Sequence, residues 1–286
     1  MQTGEPVWLS AEEIAKTNSY FKSLASRSPS VAVSVQTLFG RCCLATFSDC
    51  LVGWAELGCE ASALCDSILS HPEPNNLSLD PLPLIEIYTM LQAEGVTARP
   101  LGHLLDRIAS ELAKQSLEAR STGRVRYITS RLARAGHRME IARPSKEASA
   151  LLRSPESWFD LSATRLADLA DHVIAEDRPL DEIPTRVISL IALSELRSYR
   201  VDLACKLLRA AFHLGLPCPE AADGLNFITL QRRRDGYYGF SNQLVESASS
   251  TADRHLSVYL PLTINAVWLF RIEAVSRQRL QSLLSV

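Results

Sequence analysis

The run from Phe227 to Phe240, FITLQRRRDGYYGF, is dense in side chains that can bind a ligand or move a proton. Asp235 supplies a carboxylate, Tyr237 and Tyr238 supply rings and hydroxyls, and His255 and Tyr259 follow a polar connector at Ser247 to Arg254. A histidine titrating near ~6.5 can take or give a proton at neutral pH. His255, Asp235 and Tyr259 are therefore the candidate catalytic residues. Tyr237, Tyr238, Tyr259 and Trp268 are candidate walls of a pocket, because aromatic faces suit apolar or cationic ligands. Plainer readings stay open beside these: His255 as a helix-start residue bonded to solvent or to a connector carbonyl, and each ring as ordinary core.

A second group is basic. Arg120, Arg124, Arg126, Arg131, Arg134, Arg138 and Arg143 fall in one stretch with His137 among them and almost no acid. The planar guanidinium fork matches phosphate oxygens, so Arg126, Arg131 and Arg134 are candidate contacts to a phosphate-bearing substrate. A solvated helix face is the alternative. Arg232, Arg233 and Arg234 add a second basic spot. The net charge of −2 and the lack of a recognisable nucleic-acid module argue against nucleic acid as the partner.

The order of an aromatic four residues before Gln231, a polar turn, then Asp235-Gly236 leading into Tyr237, Tyr238, Gly239 and Phe240, resembles the glutamine-aromatic repeat of the terpene cyclases. It is similar also to the Gly-rich turn of protein prenyltransferases. The resemblance covers roughly the last 60 residues and elsewhere extends only to pattern. It implies an outer helix ending at Gln231, a reversal at the turn, and an inner helix lining a cavity: an α/α toroid. It implies further a cyclase or transferase of specialised metabolism, acting on an apolar or prenyl-like substrate. The family's acid motifs, Asp-x-Asp-Asp and Asp-Asp-x-x-Asp, are absent, and Asp168, Asp171 and Asp177 read as an exposed helix face. Asp202, Cys205 and His255 have the order of a prenyltransferase zinc set, but Cys205 sits in a packing pattern and His255 opens a helix. No metal or cofactor is expected. Without those motifs, a non-catalytic helical-repeat module holding a peptide or a partner enzyme is the alternative.

The elements that must position these residues read as helices, and alternation of strand length is nearly absent, so the fold class is all-α. Ser10 to Glu13 fits a capping box. Val31 to Leu69 reads as two helices hinged near Gly53 or Gly58, and His71 to Pro83, with four prolines, as a loop. Leu225, Phe227 and Leu230 share a face of a helix ending near Gln231. Further helices are expected at Leu84 to Glu94, Pro100 to Glu118, Val125 to Arg134, Ser145 to Leu152, Ser162 to Ala175, Pro184 to Arg197, Asp202 to Leu214, and from His255 through Phe270. The hairpin starting at Ile85 can be laid on that starting at Ile188, 103 residues later, as repeated helical hairpins would allow.

With 47% hydrophobic and 22% charged residues over 286 positions, the chain can bury a large core. A single domain over 1–286 is expected, with any subdivision falling at the Pro-rich loop 71–83. Polar breaks in every apolar run and an N-terminus without signal-peptide character give the expectation of no membrane span and a cytoplasmic protein. Seven cysteines, an odd number with no Cys-x-x-Cys, read as small buried hydrophobes rather than a disulfide framework.

Overall fold

The computed structural model describes residues 8–48, 50–70, 79–177, 182–214, 218–239 and 254–284. Among these the regular structure is helical, apart from one isolated antiparallel bridge between Arg232 and Tyr238. Helix α1 (Ala11–Arg27) opens with the expected capping box: Ser10 and Glu13 satisfy each other's backbone amides. Helices α2 (Val31–Ala45) and α3 (Trp54–Leu69) split at 46–53, and Gly53 is the N-cap of α3, whereas Gly58 continues inside it.

Helix α4 (Pro81–Ala93) begins earlier than a loop reaching Pro83 would allow. Proline at the first helical position loses no hydrogen bond, and the Asp80 side chain accepts from the Leu82 amide, so the loop's last prolines start the helix. Residues 71–78 of that loop lie outside the described residues. The helix expected over Pro100 to Glu118 is instead α5 (Arg99–Ala113) and a short α6 (Leu117–Arg120), with Ser116 capping the second. The chain continues through α7 (Gly123–Arg134), α8 (Lys146–Arg153), a 3-10 turn (Pro155–Asp160), α9 (Ala163–Glu176), α10 (Glu182–Arg197), α11 (Val201–Leu214) and α12 (Pro219–Thr229). A π turn at His255–Tyr259 then runs into α13 (Leu260–Leu284).

Six helices pack in a cyclic order. Helix α2 lies against α4, α4 against α7, α7 against α9, α9 against α11, α11 against α13, and α13 returns to α2. One or two helices separate each consecutive pair in sequence, and intervening helices also pack on one another: α3 on α5, α10 on α12. The α7 to α9 approach is close enough that a Cβ on Gly123 would stand 2.2 Å from the Asp168 carbonyl oxygen. Residues far apart in sequence meet through Trp8, which stacks on Phe270 at 5.9 Å and donates to Glu273 Oε2 at 2.7 Å.

The segment His255–Ser282 is long and apolar enough to cross a membrane, which the reading of its polar breaks did not anticipate. More than half of its most apolar window is buried against other helices, and Phe39 of α2 meets Trp268 edge-on at 5.1 Å. Cys42, Cys43, Cys65 and Cys205 are buried, as small hydrophobes would be, and burial pushes the Cys43 and Cys205 thiols up to about 12. Cys50 and Cys59 are exposed, so the packing account does not extend to them.

Candidate functional site

The turn after α12 is a tight hairpin. The Gly239 amide donates to the Gln231 carbonyl at 3.0 Å, the Arg233 amide to the Tyr237 carbonyl at 2.8 Å, and the Gly236 amide to the Arg233 carbonyl at 3.1 Å. Gly236 has φ of 84°, and a Cβ there would lie 2.4 Å from the Lys16 carbonyl carbon. Glycine is required on both counts, since the turn needs a left-handed residue and rests directly on the backbone of α1. Arg232 pairs with Glu13, the capping-box acid of α1, and fastens the same contact. Leu225 is buried, but Leu230 is 80% exposed, because the helix ends at Thr229 and the expected apolar stripe ends with it.

The two tyrosines of the turn diverge. Tyr238 is buried, its amide donates to Thr263 Oγ1 at 3.0 Å, and its ring lies 5.9 Å from Phe270. Its hydroxyl is buried with no hydrogen-bond partner among the described residues, and burial holds its pKa high. Tyr237 turns outward into a cluster of four rings. It lies 5.4 Å from Tyr20, 4.8 Å from Tyr259 and 5.0 Å edge-on from His255, and His255 meets Tyr259 edge-on at 5.2 Å. The Tyr20 hydroxyl is 3.4 Å from His255 Nδ1. Phe240 lies outside the described residues.

This cluster borders a cleft of about 800 Å³ between α1 and the turn. Tyr20, Leu24, Tyr237 and Leu256 provide apolar surface, His255 and Asp235 open onto the cleft, and Lys16, Arg27 and Arg234 stand around it. Burial lowers the His255 pKa, Arg27 lowers it further, and Asp235 opposes both. The imidazole is therefore neutral at pH 7, able to accept a proton. Burial, with Tyr237 and Tyr259 nearby, raises the pKa of Tyr20, so its hydroxyl stays protonated. The turn and the π turn thus bring His255, Asp235, Tyr237 and Tyr259 together.

Trp268 and the arginines lie elsewhere. Arg126 is 4% exposed, and all three of its nitrogens are engaged: Nε donates to the Ala142 carbonyl at 2.7 Å, one terminal nitrogen is 2.7 Å from His172 Nδ1, and the other donates to Glu176 at 3.1 Å. Arg134 donates to the Ile174 and Ala175 carbonyls at 3.1 and 3.3 Å, capping the C-terminal end of α9. Arg126 is therefore no solvated fork, whereas Arg134 is exposed beyond these two bonds. Asp171, expected on an exposed face, is buried and 3.4 Å from Lys206.

Arg131 and Trp268 line a second cavity, between α4, α7, α11 and α13. Arg131 Nε donates to Glu86 Oε1 at 2.8 Å, and Arg271 stands 3.7 Å from Glu86 Oε2. Arg209 lies 4.1 Å over the Trp268 ring and donates to Asn265 at 2.9 Å. Cys205 is buried on α11 and Asp202 accepts from Asn265, so neither joins His255. Sequence reasoning missed Tyr20, Glu86, His213 and Arg271. Glu86 carried a signal, being a lone acid in the otherwise apolar run from Pro81 to Leu91. Tyr20 carried only its place on the buried stripe of α1. No family model, curated protein or solved structure matches this chain.

Proposed function

We propose that the chain is a toroid-like helical enzyme that takes an apolar or prenyl-like molecule into the cleft between α1 and the turn, with His255 as its acid/base residue. The observation that carries this reading is the His255 imidazole facing a roomy cleft among three tyrosine rings. The cleft has the size of small-molecule sites, which run to roughly 300–1,000 Å³. Apolar surface on Tyr20, Leu24, Tyr237 and Leu256 suits the body of such a molecule, and Arg27 and Arg234 suit an anionic end. The toroid reading rests on the cyclic packing order of α2, α4, α7, α9, α11 and α13.

Thermal unfolding against prenyl diphosphates and the matching alcohols tests the site, since a ligand that binds only the folded state raises its apparent stability. Turnover of a ligand so identified is expected to fall by about 10²–10⁴ in His255→Ala, with the unfolding temperature unchanged. One observation favours the second reading, a binding module for a peptide or partner enzyme. The cleft lies on α1 and the turn and shares no residue with the cavity between α4, α7, α11 and α13. Loss of no activity in His255→Ala, together with capture of a peptide along the cleft, would establish that reading.

A further inference from the structure

A second cavity, of about 170 Å³, lies between α4, α7, α11 and α13. Its lining carries three arginines, Arg131, Arg271 and Arg279, against one carboxylate, Glu86. Glu86 is 3% exposed and divides its two oxygens between Arg131 and Arg271. Two nitrogens remain unused: Arg271 Nε, a donor, and His213 Nε2, a donor when the neutral ring carries its proton there, are buried without a hydrogen-bond partner among the described residues. Asp177 comes no nearer to His213 Nε2 than 3.8 Å, beyond hydrogen-bond reach. Buried donors without acceptors, in a cavity with surplus positive charge, constitute a vacant place for an anion.

We propose that this cavity binds a small oxyanion, a phosphate or the phosphoryl group of a small ester, held by Arg131, Arg271 and Arg279 with His213 as a neutral donor. The volume equals that of roughly five or six water molecules, which fits a phosphoryl group and leaves no room for a long apolar tail. The surroundings of His213 report the same field. Its pKa is pushed down to about 4 by burial first and then by Arg131, with Arg134 adding to them and Glu86 and Asp177 opposing. A bound anion reverses that balance and raises the His213 pKa. This site shares no residue with the cleft, so it stands or falls separately.

The test titrates the whole protein with inorganic phosphate and, separately, with glycerol phosphate, at constant ionic strength held with chloride. Thermal unfolding and the imidazole NMR signals of His213 are followed together. Saturation of both signals by inorganic phosphate supports a free-anion site. Saturation by the ester alone supports a site for a phosphoryl group whose remainder leaves past the exposed Arg279. In either case Arg271→Gln and Arg279→Gln are expected to weaken binding at least tenfold, while Lys114→Gln, at an exposed position that lines neither cavity, leaves it unchanged. Arg279→Gln alters an exposed residue, and so retains a readout should Arg271→Gln disturb folding. Saturation by neither ligand, or saturation untouched by Arg279→Gln, overturns the proposal.

Discussion

His213 and His255 are both held below the ordinary imidazole range by burial, but they face different surroundings and answer acid differently. The folded protein disfavours protonated His213, whereas the unfolded chain takes a proton near ~6.5. Stability from this group is therefore complete above the unfolded pKa and is lost as pH falls toward about 4. Between pH 7 and pH 5 the loss is on the order of 2 kcal/mol. Urea unfolding at the two pH values checks this, and His213→Gln, which stays neutral, should show correspondingly less acid sensitivity; equal sensitivity would refute the assignment. His255 has the same sign, and its consequence lies in the cleft, where protonation would place a cation beside Arg27 and weaken any base role as pH falls.

At the scale of elements, the turn and α7 each hold the structure by one kind of residue. Gly236→Ala places a methyl group against the Lys16 backbone at positive φ, and is expected to cost about 2–4 kcal/mol, read as a lowered unfolding temperature. Arg126→Met leaves the Glu176 carboxylate and the Ala142 carbonyl without their partner. It is expected to cost about 2–4 kcal/mol and to speed proteolysis near 137–145, measured by limited digestion. The turn was legible in sequence because Asp235-Gly236 states its geometry locally, as Ser10 and Glu13 state the start of α1. The role of the arginines was not, because the partners of Arg126 and Arg134 are 16 to 50 residues away on α9 and the segment before α8. No local spacing distinguishes an arginine that caps another helix from one that waits for phosphate. The split of Tyr237 from Tyr238 was half legible: adjacent residues must point apart, but which one enters the core depends on Thr263 and Phe270.

For the whole molecule, helices before the Pro-rich loop pack on helices after it: α2 on α4 and α13, α3 on α4 and α5. Heating is expected to give one transition, with tryptophan fluorescence and far-UV circular dichroism coincident; two separated midpoints would show that the helical cycle is not a single cooperative unit. Trp8 and Glu273 are 265 positions apart, and α13 completes the cycle by lying between α11 and α2. On the ribosome, α2, α4, α7 and α11 are made long before the helix that covers them. The nascent chain must carry Glu86 and the apolar faces around it uncovered until α13 has emerged, which makes the interval between the synthesis of α4 and that of α13 the period of greatest dependence on chaperones.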